Sequence, residues 1–225
     1  MRSAFVLRCA LIGVLLVMAT CASAWDHYYD GGVLPNDPSL GADAWTAAGD
    51  LSMCSSDGSV LLISDARVDS AVSFHQSSPP VGSPLTVQAR VRVVSGSSTV
   101  LYAGTPSRAI EISLYPNRLV VGSILPATVT FNSDLTSFRT IRVAMAGASG
   151  SYASYVWLDG VLVAQGTAWS GNYQYVMFGS PWGGTGVSYW DYVGYSNAFP
   201  EPSSLSALCT ALCGFGAMLR RARRA

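Results

Sequence analysis

Leu85–Val94 reads LTVQARVRVV, and almost every second side chain in it is apolar. Leu85, Val87, Ala89, Val91 and Val93 fall on one face of an extended chain, and Thr86, Gln88, Arg90 and Arg92 fall on the other. Successive side chains of a strand point to opposite faces, so this segment is a strand with one dry and one wet face. A helix would need apolar residues three and four apart, which this pattern does not supply.

Similar patterns recur on both sides. Toward the N-terminus, Leu51–Cys54 and Val60–Ile63 flank the turn Ser55–Gly58, and Ala71–Phe74 follows. Toward the C-terminus, Ile110, Ile112 and Leu114 alternate with Glu111 and Ser113. Pro116-Asn117 then turns the chain into Leu119–Ile124, and Ala127–Phe131 comes next. Phe138, Ile141, Val143 and Met145 share a segment with Arg139 and Arg142. Tyr152–Leu158, Asp159-Gly160 and Val161–Ala164 give the strongest hairpin signal, because Asp-Gly suits the type I′ turn. Tyr173–Phe178 and Val187–Tyr195 complete the set, while residues 25–50 read as loop around aromatic anchors. About eleven short strands at this spacing predict an all-β domain. The expected form is an antiparallel two-sheet β-sandwich, with a barrel as the alternative.

Two blocks, TIRVAMAG…YVWLDGVLVAQG (Thr140–Gly166) and FGS…SYWDYVGYSN (Phe178–Asn197), together with the strand order, resemble the concanavalin A-like jelly roll. Lectins, glucanases and laminin-G-like domains share that fold. The resemblance implies that the last long strand lies beside the first, pairing the segment around Tyr28–Tyr29 with Trp190–Tyr195. Many functions use this fold, so it leaves the chemistry open.

Both ends carry processing signals. Arg2 and Arg8 precede the apolar run Cys9–Met18, and Ala22 and Ala24 are the small residues a signal peptidase accepts, so residues 1–24 read as a signal helix cleaved before Trp25. A lipoprotein alternative would use Cys21. At the other end, Pro200-Glu201-Pro202 leads into the apolar run Leu205–Leu219 and then Arg220, Arg221, Arg223 and Arg224. Those fifteen mostly apolar residues span roughly 22 Å as a helix, short of a ~30 Å hydrocarbon core, and the arginines orient the segment toward the cytoplasm. Residues 200–225 resemble the PEP-CTERM sorting signal of exported bacterial proteins. That resemblance implies a hydrophobic C-terminal helix held transiently in the inner membrane and an exosortase-type protease as partner. It also implies delivery to the envelope, outer surface or extracellular matrix of an exopolysaccharide producer. Residues 25–199 are then the mature domain.

That domain carries seven arginines, no lysine and twelve acids, a net charge near −5. With no basic stripe legible in the sequence, nucleic acid is not an expected partner. Cys54 is its lone cysteine, expected to be buried and inert. Glycoside hydrolysis calls for two carboxylates, and the glucanases of the resembled fold carry Glu-x-Asp-x-x-Glu or a close variant. Glu111 is the sole glutamate of residues 25–199 and lacks that partner, so no catalytic residue is assigned. His27 and His75 stand in no metal-ligand spacing, and no cofactor is expected. Calcium, which takes oxygen ligands, has candidates in Asp26, Asp30, Asp37, Asp43, Asp57 and Asp191. Trp169, Tyr173, Tyr175 and Trp182, interleaved with Asn172, Gln174 and Ser180, offer ring faces beside hydroxyl and amide groups. They form the candidate glycan platform, against the alternative that they cap the core; Trp157 and Trp190 are read as core. The favoured function is a non-catalytic envelope or matrix module that associates with exopolysaccharide and binds glycan weakly. A structural or protein-interaction domain is the alternative, and a glycoside hydrolase stands third.

Overall fold

Leu85–Val94 forms most of a strand, Leu85–Gly96, and its apolar face is buried throughout. The computed structural model describes residues 25–77, 84–96, 99–122, 124–148, 151–171 and 174–197. The expectations for the two terminal helices, for Ala22 and Ala24, for Tyr173, for Pro200, Glu201 and Pro202, and for Arg220, Arg221, Arg223 and Arg224 lie outside the described residues.

Among the described residues, sixteen strands follow one another: β1 (His27–Tyr29), β2 (Thr46–Gly49), β3 (Cys54–Ser56), β4 (Leu61–Asp65), β5 (Val72–Ser77) and β6 (Leu85–Gly96). Then come β7 (Thr99–Gly104), β8 (Arg108–Tyr115), β9 (Arg118–Val121), β10 (Ile124–Leu125) and β11 (Val129–Asn132). The last are β12 (Arg139–Ala148), β13 (Ser151–Leu158), β14 (Val161–Ser170), β15 (Tyr175–Ser180) and β16 (Gly186–Ser196). All pairings are antiparallel, and hydrogen bonding runs in the order β2-β5-β15-β7-β8-β14-β13-β12-β6-β16-β4-β3, with β1 beside β16. β14 links the halves: it pairs with β13 along most of its length and then with β8 at Trp169 and Ser170. The result is one curled antiparallel sheet, consistent with a jelly roll.

The inward residues of both halves meet in one core. Phe178 of β15 lies 4.9 Å from Trp190 of β16, 5.0 Å from Trp45 and 5.5 Å from Phe74, ring centre to ring centre. Each such ring removes ~150–250 Å² from water, about 4–6 kcal/mol of driving force. Several polar groups that enter this interior are paired, although the buried Trp45 Nε1 has no hydrogen-bond partner among the described residues. Asp65, 2% exposed, accepts from Ser180 Oγ at 2.7 Å and from Ser70 Oγ at 3.2 Å. Tyr195 reaches across to donate its hydroxyl to the Ser77 carbonyl at 2.9 Å, which ties the last strand to β5.

The expected pairing of the first strand with the last is present: His27, Tyr28 and Tyr29 lie opposite Tyr195, Gly194 and Val193. The hairpin at Asp159-Gly160 has φ of 49° and 81°, the two positive values a type I′ turn requires. Other expectations need correction. Leu51–Cys54 is no strand: Asp50 accepts from the Ser52 amide and hydroxyl, which winds Leu51–Met53 into a 3-10 turn and starts β3 at Cys54. Residues 25–50 contain β1 and β2 rather than loop alone. Trp157 is half-buried on the outer side, opposite Arg142, while Trp190 is core as expected. β7 has no counterpart among the expected strands. Its six residues, TVLYAG, are all buried, so both faces are apolar or small and no alternation marks it.

Candidate functional site

The curled sheet presents two outer faces. Cross-strand register defines both, since residues directly opposite one another share a face.

On the face around β15, one row runs His75, Met177, Tyr102 and Glu111 across β5, β15, β7 and β8. Tyr175, two residues before Met177, packs between its neighbours, 5.2 Å from the Tyr102 ring and 6.0 Å from His75. Tyr102 is only 6% exposed, while Glu111 is open to solvent. Gly104 lies opposite Ala109 and Ala109 opposite Trp169, so the indole, 47% exposed, stands at the same end of the face as Tyr175. Trp182 does not join them. It is 76% exposed in the Pro181–Gly184 turn beyond the far end of β15, where it lines an open cleft of about 440 Å³ with Asp50, Asp69 and Ser73. The strand between Tyr175 and Ser180 separates the two ends by roughly 17 Å. Tyr173 is outside the described residues, so two of the four rings expected in the platform, Trp169 and Tyr175, are placed toward one end. His75, Tyr102 and Met177 were not legible as partners, because Tyr102 belongs to the unmarked strand β7.

The face around β6 is different. One row crosses six strands: Tyr28, Gly194, Gln88, Arg142, Trp157 and Leu162. A second holds Tyr192, Arg90 and Thr140, and a third Leu62, Tyr189 and Arg92. Guanidinium groups lie on the rings: Arg92 is 4.1 Å from the Tyr189 centroid and 5.3 Å from Phe138, Arg90 is 5.2 Å from Phe138, and Arg142 is 5.8 Å from Trp157. Tyr28 stacks on Tyr192 at 5.9 Å, and Gln88 donates to the Tyr192 hydroxyl at 2.8 Å. A Cβ at position 194 would meet the Trp25 and Tyr28 rings at 3.0 Å, so glycine lets both rings lie close over β16.

Among the described residues, no group of three or more His, Cys, Asp or Glu is gathered as a metal centre. The aspartates considered for calcium are engaged locally. Asp30, Asp37 and Asp57 accept from backbone amides two residues on, Asp26 accepts from the Asn197 amide, and Asp191 pairs with Arg90 at 2.5 Å. Asp43 faces His27 at 3.2 Å. Hydrogen bonds from Ser39 hold Asp37 below the usual carboxylate range, as those from Ser59 do for Asp57. Burial, helped by Asp50 and Asp65, pushes the Cys54 thiol up to about 12.

No protein-family model and no curated protein matches this chain in sequence. Solved structures do match its shape. An endo-1,3-β-glucanase from Streptomyces sioyaensis superposes with a TM-score of 0.54 at 14% identity, over 76% of this chain and 95% of the glucanase. A glycosyl hydrolase family protein from Mycobacterium fortuitum gives 0.50 at 14% identity, over 77% of this chain and 100% of that one. The Crh5 transglycosylase gives 0.50 at 13% identity, over 79% and 86%. At such identities the likeness shows the fold alone, that of the concanavalin A-like lectins and glucanases.

Proposed function

We propose that this chain is an exported, non-catalytic carbohydrate-binding protein, built as a two-sheet sandwich of the jelly-roll type, whose glycan surface is the outer face of β5, β15, β7 and β8. The observation that carries this reading is the packing of Tyr175 between His75 and Tyr102, with Trp169 at the same end. A sugar ring has an apolar face edged by hydroxyls, and an aromatic row beside Glu111 and Ser77 offers both kinds of contact. The neighbours of this fold include a glucanase, and a 1,3-β-glucan is accordingly the first ligand to try. The absence of catalysis is supported by the strand that carries Glu111. Ser113 and Pro116 stand where the Glu-x-Asp-x-x-Glu pattern has its Asp and its second Glu.

The terminal signals complete the proposal. Residues 1–24 direct export, and the 200–225 tail passes through the inner membrane until an exosortase-type protease releases the domain to the envelope or matrix. Mass spectrometry of protein recovered from the producing cell should find an N-terminus at Trp25 and no Arg220–Arg224. Intact terminal arginines on exported protein would replace sorting by simple anchoring.

Affinity electrophoresis of the full chain through gels containing laminarin tests the binding. Retardation that Tyr175→Ala and Trp169→Ala each reduce is the expected result. Unretarded wild-type protein across neutral glucans would leave a structural domain, the reading that the near-complete burial of Tyr102 favours.

A further inference from the structure

Along β6, Arg92 and Arg90 sit two residues apart on the outer face, and Arg142 stands opposite Gln88, two residues further on. Side chains on one face of a strand recur at roughly 7 Å, so Arg92 and Arg90 step along β6 and Arg142 follows at the next register position on the adjacent strand β12. Rings bank these cations on both sides. Tyr189, Tyr192 and Tyr28 lie toward β16 and β1, and Phe138 and Trp157 toward β12 and β13. Asp191 pairs with Arg90, whereas no carboxylate of the described residues lies within 4.0 Å of Arg92 or Arg142. The strip therefore keeps about two uncompensated positive charges on a domain whose total is near −5. Burial also draws the Arg142 pKa down, because it takes water from the guanidinium.

The arrangement selects among anionic partners. A duplex-binding surface that makes about 6–10 phosphate contacts needs far more cations than the two free arginines here supply. A linear polymer with a carboxylate on its repeating unit fits both features, since its charges can step along the arginines while its ring faces lie on the flanking aromatics. We propose that the outer face of β6, β12, β13 and β16 is a second carbohydrate surface, one that takes an acidic, carboxylate-bearing polysaccharide, with Arg92 and Arg142 as its anion contacts. It goes beyond the neutral-glycan surface on the opposite half and stands without it. One domain would then join two chemically different glycans.

The test is affinity electrophoresis of the full chain in gels containing polygalacturonate, with the fully methyl-esterified polymer as the uncharged control. Wild-type protein should be retarded by the acid and not by the ester. The pair Arg92→Gln and Arg142→Gln should weaken retardation about tenfold, given the strength of charge-assisted hydrogen bonds, with laminarin mobility and melting temperature unchanged. Asp191→Asn, which frees Arg90, should strengthen it about twofold. Should the glutamine pair fail to fold, Arg92→Lys with Arg142→Lys keeps both charges but loses the planar forks, and about a threefold loss is expected. Equal retardation by acid and ester, or an unaltered glutamine pair, overturns the proposal. So does tighter binding of oligothymidylate than of polygalacturonate. A concentration-dependent dimer that the glutamine pair abolishes, with no polysaccharide retarding the protein, would assign the strip to self-association instead.

Discussion

On the outer face around β6, arginines from one strand lie over rings of the next, as Arg92 does over Tyr189 and Arg142 over Trp157. Around β15 the rings pack on each other, with Tyr175 between His75 and Tyr102. The physical consequence is a different sensitivity. Cation–π contacts bring charge to a surface and respond to salt and to neighbouring carboxylates. Ring-to-ring packing contributes area and shape, and it responds to truncation. Two faces of one sheet can thus present different chemistry while sharing a single core.

That shared core supplies the largest expected effect. Trp190 is fully buried and lies against Phe178, which belongs to the other half. Trp190→Ala should cost about 3–5 kcal/mol through lost burial and the cavity left behind. Binding at both faces should fall together as the melt moves down. A variant that lost one binding activity and kept the other at full strength would show that the halves are held independently.

Truncation on the β15 face comes next. Trp169→Ala and Tyr175→Ala should each weaken laminarin binding by about 1–3 kcal/mol, by analogy with stacking platforms measured on bases. Trp182→Ala should do nothing there, since that indole lies beyond the opposite end of β15. Titration of the three variants beside thermal melts checks this. A loss at Trp182 equal to that at Trp169 would mean that the glycan spans the whole length of the face.

The fold was legible where one side of a strand is wet. β6, β8 and the hairpin at Asp159-Gly160 announce themselves by alternation and by turn chemistry, and the pairing of β1 with β16 followed from the resemblance. β7 was silent because it is buried on both faces, and a sequence records burial, not which element causes it. The loss of β7 hid Tyr102 and with it the row from His75 to Glu111. The line of arginines on β6 was visible residue by residue. Its completion by Arg142 and the rings of β13 and β16 depends on register, which pairs residues more than 50 positions apart.

Cys54 is half-buried rather than buried as expected; its thiol is still pushed from 9.0 to about 12, and the Tyr195 hydroxyl from 10.0 to about 12, both first by partial burial. The folded protein keeps protons that the unfolded chain releases, so stability is full below pH 9 and declines as pH rises toward 12. Allowing for partial exposure, the decline at pH 10 should be about 1 kcal/mol. Urea melts at pH 8 and pH 10 measure it. An unchanged midpoint would place both groups in contact with water, and Cys54 would then react quickly with a thiol reagent.

The smallest expected effect is at Glu111. Its side chain is exposed, opposite Tyr102, and its outward neighbours along β8 are Ala109 and Ser113. A retaining glycosidase needs a second carboxyl about 5–5.5 Å away and an inverting one about 6.5–9.5 Å away, and β8 itself provides no such acid. Glu111→Gln should therefore leave stability within about 0.5 kcal/mol and laminarin binding nearly unchanged. Neither form should release reducing ends from laminarin above the buffer rate. Release by the wild type that Glu111→Gln abolishes would make the β15 face a catalytic cleft, and a second acid would then have to be sought outside β8. The two faces would differ more sharply still, one cutting a glycan while the arginine strip holds another.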